Sequence, residues 1–200
     1  LTPAGKPPSK DLIPYPRLAV NNNNVNSLVS DNQISLERET IIFCPGAEFG
    51  IAKRWPTYHF AVVVDYYLKQ GWNTIILGSD KDSPIAAEIT NLTSTNSSCL
   101  YDLTGKTSIE DALDLLAISR LVLTNDSGLM HLAAAVGASL VALYGPTSPA
   151  LTPPLSTSST VISKNNGFSS KRVGDRKDGY DTSLFEISPE EVIEALNGLL

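Results

Sequence analysis

Thr124-Asn125-Asp126-Ser127-Gly128-Leu129-Met130-His131 lies between two apolar runs of different character. The run before it, Leu121-Val122-Leu123, is short and bulky and reads as a buried strand. The run after it, Leu129 to Val136, is long enough for a helix and stops at Gly137, which suits a helix C-terminus. The polar cluster therefore sits where a strand hands over to a helix. In a parallel α/β sheet that is the carboxyl edge, where ligands bind. The N–H groups of Ser127, Gly128 and Leu129 fall in or near a first helical turn, without partners inside the helix and at its positive end, so they suit an anion. Gly128 lets a ligand approach the backbone, and His131 stands three residues further on the same side. A plainer reading competes: Asp126 or Ser127 as a simple N-cap, and His131 as a satisfied core histidine.

The same alternation recurs along the chain. Strands are expected at Thr40–Cys44, Asn73–Leu77, Leu100–Leu103, Leu121–Thr124 and Leu140–Tyr144, with a shorter sixth at Val161-Ile162. Helices are expected over Thr57–Gln70, Ser83–Leu92, Ala112–Ile118, Leu129–Val136 and Pro189–Leu199. Gly71 suits the end of the first of these. Thr107 and Glu110 have capping-box spacing, and Ser188-Pro189-Glu190-Glu191 supplies an N-cap, a proline at N1 and a box glutamate. Alternating strand and helix implies an α/β fold, a Rossmann-like parallel sheet with helices on both faces. No G-x-G-x-x-G fingerprint is present, which argues against an ordinary dinucleotide-binding dehydrogenase domain.

Residues 1–39 read differently. Prolines punctuate the start and Asn21–Asn24 is a low-complexity polar run, so this stretch is expected to be a linker or surface arm, with at most a short strand near Leu18-Ala19-Val20. Structured sequence is expected from Thr40, giving one domain over 40–200. The net charge of −6 argues against nucleic acid as the main partner, and no run is long enough to span a membrane. Cys44 and Cys99 are far apart and lack metal-ligand spacing with His59 or His131, which fits a reduced, cytoplasmic protein.

A parallel sheet places every strand-to-helix loop on one edge. That gathers Gly46 to Lys53, Gly78 to Asp82, Thr124 to His131 and Gly145 to Thr147. Lys53 adds a cation beside the helix amides, and a lysine with a helix N-terminus can neutralise a diphosphate. Asp82 could accept from ribose hydroxyls, as acidic residues do in nucleotide-binding sheets. Asp126 would repel a phosphate and is better placed on sugar hydroxyls. Against these stand the plain alternatives of Lys53 and Arg54 as a solvated pair and Asp82 as another cap.

Phe43-Cys44-Pro45-Gly46-Ala47-Glu48-Phe49-Gly50, Ala52-Lys53-Arg54-Trp55-Pro56, the stretch 124–131 and Leu143-Tyr144-Gly145-Pro146-Thr147 together resemble the ADP-heptose:lipopolysaccharide heptosyltransferases. The resemblance runs from about Leu12 to Leu200, Gly179-Tyr180 included. It implies the carboxyl-terminal, donor-binding half of a glycosyltransferase-B fold, with ADP-heptose held between two Rossmann-like domains. By position, Lys53 matches the lysine on the diphosphate. Asp82 falls where the family carries an acidic residue for the ribose, more often Glu. Asp126, Ser127, Gly128 and His131 match the loop holding phosphates and heptose, with Gly46, Ala47 and Leu129 completing the nucleotide-sugar site. Lys53 and Asp126 are the residues expected to carry chemistry. The family's catalytic base is an aspartate in an amino-terminal domain that nothing here matches, so the acceptor half is expected to be absent and the isolated piece inactive. Implied partners are the ADP-heptose donor and, through the missing half, the lipopolysaccharide core, at the inner face of the inner membrane. No cofactor is implied, although Mg²⁺ could travel with the diphosphate. Two rivals remain at this stage: another nucleotide-sugar transferase domain of the same fold, and a non-catalytic nucleotide-binding module.

Overall fold

The computed structural model describes residues 14–47, 50–164 and 181–200. Glu48, Phe49, Gly179 and Tyr180, all part of the resemblance, lie outside the described residues.

Six strands form one sheet: β1 (Thr40–Cys44), β2 (Asn73–Ile76), β3 (Leu100–Asp102), β4 (Leu121–Asn125), β5 (Leu140–Tyr144) and β6 (Ser159–Ser163). Their order is β3-β2-β1-β4-β5-β6 and every pairing is parallel. This is the doubly wound order 3-2-1-4-5-6, in which chain direction across the sheet reverses between β1 and β4. Cys44 pairs with Thr124 there, so the loops after β1 and β4 leave the sheet side by side.

The central strands are buried on both faces, which is why they read as continuous apolar runs. Ile41 and Phe43 of β1 enter one core with Val63, Val64 and Tyr67 of α2 (Thr57–Lys69), Ile89 of α3 (Ser83–Leu92) and Leu196 of α7 (Pro189–Asn197). Ile42 and Cys44 point the other way, into a core with Leu115 and Leu116 of α4 (Ile109–Ile118) and Met130 and Ala133 of α5 (Gly128–Val136). The period-2 alternation of a strand thus divides the helices between the two faces.

Several local signals act as expected. Gly71 and Gly137 adopt the left-handed conformation, φ +78° and +81°, that closes α2 and α5. Ser188 Oγ accepts from the Glu191 N–H at 3.2 Å. The Glu191 carboxylate does not close the expected box and instead pairs with Lys164 at 2.8 Å.

Three expectations need correction. Residues 22–31 are not an irregular arm but a helix, α1 (Asn22–Asp31). Asn21 caps it by accepting from the N–H groups of Asn23 and Asn24, and Leu28 and Val29 pack on the core of α4 and α5. Leu18–Val20 is not a strand; the Leu18 N–H instead donates to Ala135 O at 3.0 Å, tying the segment to α5. The box before α4 is Ser108 with Asp111 rather than Thr107 with Glu110: Asp111 N donates to Ser108 Oγ at 3.1 Å and Ser108 N to Asp111 Oδ2 at 2.9 Å. Both pairs have the same spacing, and a shorter Asp closes the box as well as a Glu. A further short helix, α6 (Thr182–Phe185), was not foreseen; its Leu184 is so close to Gly145 that a Cβ there would lie 2.7 Å from Leu184 Cγ.

Candidate functional site

The carboxyl edge at the β1/β4 switch opens into a cavity of about 650 Å³. Gly46 and Ala47 line it from the loop after β1, and Gly78, Ser79 and Asp82 from the loop after β2. Ser127, Gly128 and Leu129 line it from the start of α5. Six of the nine residues expected to form the site therefore share one cavity. Its remaining wall was not foreseen: Thr107, Ser108, Ile109 and Ala112 at the start of α4, with Leu132 of α5. Ile109 lines the cavity and is 71% exposed.

Ser127 is the N-cap residue of α5 in backbone terms, φ −144° and ψ 172°, yet its side chain makes no capping bond. Its hydroxyl lies instead 3.4 Å from Thr124 Oγ1. The first-turn amides of α5 are thus left without a side-chain cap at the positive end of the helix, the condition that suits an anion. A Cβ added to Gly128 would meet nothing within 4 Å, so the approach to this turn is open.

Lys53 and Asp126 lie beside this cavity and hold each other, Nζ to Oδ2 at 3.0 Å. Both side chains are 9% exposed, so neither belongs to a solvated surface pair. Lys53 ends a short 3₁₀ turn, Ile51–Lys53, that hands the chain from the β1 loop to α2. Asp126 follows β4 directly, its N–H bonded to Leu143 O at 3.1 Å. Lys53 and the 126–131 loop therefore meet, and they do so as an ion pair rather than as a cation and an acid acting separately.

Asn125, which the motif reading passed over, fixes that meeting. It is fully buried at the end of β4. Its Nδ2 donates to Pro45 O at 2.7 Å, and its Oδ1 accepts from the Trp55 N–H at 3.1 Å. One amide therefore ties the β1 loop and the start of α2 to the residue before Asp126. The signal was an Asn at the end of a buried strand, a position where both ends of the amide must find partners. Trp55 is held in turn by its indole N–H, which donates to Ile187 O at 3.0 Å.

Asp82 is both a cap and part of the wall. Its Oδ2 accepts from Ser79 N at 2.9 Å and Ser79 Oγ at 2.8 Å, while Oδ1 lies 3.9 Å from Arg54 Nη2. A Cβ on Gly46 or Gly78 would lie within 2.8 Å of the Asp82 side chain, so Asp82 would have to shift to admit one. His131 is exposed on α5 and does not line the cavity, so it is no core histidine.

Two neighbouring groups are silenced by burial. The Cys44 thiol is pushed well above its usual range, mainly by burial and further by the Asp82 charge, so it offers no thiolate. The Tyr144 phenol is raised by burial and by Asp126, and it donates to Thr152 O at 2.5 Å. Among the described residues no three His, Cys, Asp or Glu side chains converge as metal ligands do, and no helix is long and apolar enough to cross a membrane.

The chain is 44% identical over 187 residues to lipopolysaccharide heptosyltransferase 2 of Salmonella typhimurium, covering 93% of this chain and 54% of that protein. It is 50% identical over 166 residues to lipooligosaccharide heptosyltransferase 2 of Haemophilus influenzae, covering 82% and 48%. It superimposes on the structure of E. coli ADP-heptose lps heptosyltransferase II with a TM-score of 0.81 at 40% identity, covering 92% of this chain and 53% of that one. The chain thus spans about half the length of the curated relatives it matches. A family model described as glycosyltransferase family 9 (heptosyltransferase) matches residues 14–180, most of the sequence. The chain belongs to glycosyltransferase family 9, the heptosyltransferases.

Proposed function

We propose that this chain is the donor-binding half of a heptosyltransferase of type II, which moves heptose from ADP-heptose onto the inner core of lipopolysaccharide. One observation carries the reading: loops from four strands converge on a single cavity that joins an apolar wall to an uncapped helix N-terminus, with Lys53 and Asp126 held beside it. The apolar wall of Ile109, Ala112, Leu129 and Leu132 suits a nucleobase, and Asp82 Oδ1 suits a ribose hydroxyl. The amides of Ser127 and Gly128 receive phosphate oxygens. Lys53 answers the charge of the diphosphate, Asp126 orients Lys53 and accepts from the sugar, and His131, one turn along α5, stands towards the sugar end. The names of the relatives support the donor and the acceptor class.

In transfer, the bond between the anomeric carbon and the diphosphate oxygen breaks. The carbon gains positive character while ADP leaves as an anion. A base in a second, acceptor-binding half takes the proton of the attacking hydroxyl. The part of this chain is to hold the leaving diphosphate with donors already in place, so that little reorganises as charge develops. Lys53 and the α5 amides do so electrostatically, and the cavity fixes the donor relative to its acceptor. The proposed place of work is the cytoplasm, at the inner face of the inner membrane.

Competition binding tests the reading. ADP and ADP-heptose should displace a fluorescent ADP analogue from the chain, whereas UDP- and GDP-sugars should not. Displacement by UDP-sugars would favour another transferase of the same architecture. Binding of the donor without transfer by the complete protein would favour a non-catalytic module.

A further inference from the structure

Arg54 follows Lys53 directly, and the plain alternative made it one of a solvated pair, but it is half-buried and poorly satisfied. Its Nη2 makes one long hydrogen bond, 3.5 Å to Ala47 O, and lies 3.9 Å from Asp82 Oδ1, beyond hydrogen-bond reach. Its Nε is buried and meets no acceptor. A buried N–H on a cation without an acceptor is costly to keep, and guanidinium is the side chain best shaped to take two oxygens at once. Both groups that Arg54 approaches, Ala47 and Asp82, line the cavity.

Electrostatics points the same way. Two carboxylates, Asp82 and Asp126, already stand at this rim, and an incoming diphosphate adds further negative charge. Lys53 is engaged with Asp126 at 3.0 Å. Asp82 is met by Arg54 alone among the described ion pairs, and loosely.

We propose that Arg54 is a second anion ligand of the cavity: its guanidinium turns towards the bound ligand and donates from Nε and a neighbouring Nη to a phosphate oxygen. This rests on the nucleotide-sugar reading above and names the group that discriminates phosphate-bearing ligands from bare nucleosides.

The test measures binding of ADP, adenosine and inorganic pyrophosphate to the chain by amide-resonance titration, for wild type, Arg54→Met, Arg54→Lys and the double variant Arg54→Met with Asp82→Asn. Thermal melts check that each variant is folded. Arg54→Met should weaken ADP and pyrophosphate about 10- to 100-fold, the scale of a charge-assisted pair, and leave adenosine unchanged. Arg54→Lys keeps the charge without the fork and should fall between the two. The double variant should stay weak. Unchanged ADP affinity in Arg54→Met overturns the proposal, as does an equal loss for adenosine, which would mean a loosened cavity. Recovery in the double variant also overturns it, since Arg54 would then serve only as a partner to Asp82. Wild-type binding of pyrophosphate but not ADP, lost in Arg54→Met, would sink the nucleotide reading and leave the anion ligand standing. Wild-type binding of neither would end both.

Discussion

Lys53 and Asp126 are 73 positions apart in the chain and 3.0 Å apart in space. Because each is nine-tenths buried, removing Lys53 takes the ion-pair partner from a buried Asp126 carboxylate, and breaking such a pair typically costs about 3–5 kcal/mol. Lys53→Ala should therefore do two things at once. In the complete transferase it should cut turnover by more than about a hundredfold, the scale of losing one donor aimed at developing charge. It should also lower the melting temperature of the chain. Near-normal turnover in a folded Lys53→Ala enzyme would remove Lys53 from the chemistry. Asn125 belongs to the same cluster but touches no proposed ligand group. Asn125→Ala leaves Pro45 O and the Trp55 N–H without their present partners, and chemical denaturation should register a loss of about 2–4 kcal/mol. A loss under about 0.5 kcal/mol would mean that the two loops are held by something else. These residues differed in how far the sequence disclosed them. Lys53 and Asp126 stood out by chemistry and position, but their mutual pairing depends on the loop after β1 folding back towards β4, a distance that spacing along the chain does not encode.

Helix α1 shows how composition can hide an element. Four consecutive asparagines read as a polar linker, yet Val25, Leu28 and Val29 fall at i, i+3 and i+4, the spacing of an apolar helical face. Tertiary contacts complete it. Asn24 Nδ2 donates to Asp111 Oδ1 at 2.8 Å and to Asp114 Oδ2 at 2.9 Å, and the Asn21 N–H donates to Asp114 Oδ1 at 2.8 Å. Asp114 is 2% exposed, so these bonds are what keeps its carboxylate tolerable in the core. The Asp111 carboxyl is held below its usual range, first by Asn24 and then by Ser108. A carboxyl whose native pKa is lowered contributes stability that is full above the unfolded value, about 4, and is lost as pH falls through the native one. Asn24→Ala should therefore destabilise the chain near neutral pH by about 2 kcal/mol, with a difference from wild type that shrinks below about pH 4. Hydrogen exchange should show the lost protection first in α1. A pH-independent difference would mean that the docking of α1 does not run through these carboxylates. The strands were legible as short apolar runs, and the helices α2, α3, α4, α5 and α7 as longer ones bounded by a polar N-cap candidate, a proline or a glycine. α6 was not, because a four-residue helix carries no period to read.

The molecule as a whole is a doubly wound sheet whose order brings the β1 and β4 loops together, and the cavity follows from that order. Alternation of strand and helix was enough to place the loops on one edge. It was not enough to find the wall contributed by the start of α4, because neither Thr107-Ser108-Ile109 nor Ala112 carries chemistry that marks a site. Two other openings among the described residues are lined differently. A polar groove of about 310 Å³ between Thr90 and Asp102 lies along the edge strand β3, and another of about 350 Å³ lies between Tyr15–Leu18 and the end of α5. Titration of the isotope-labelled chain with ADP, followed through its backbone amides, separates these places directly. The account predicts saturable shifts that cluster at Gly46, Ala47, Lys53, Gly78 to Asp82, Ser108 to Ala112 and Ser127 to Leu132, while the two other grooves stay still. Shifts concentrated in either of those grooves, or none at millimolar ADP, would contradict it.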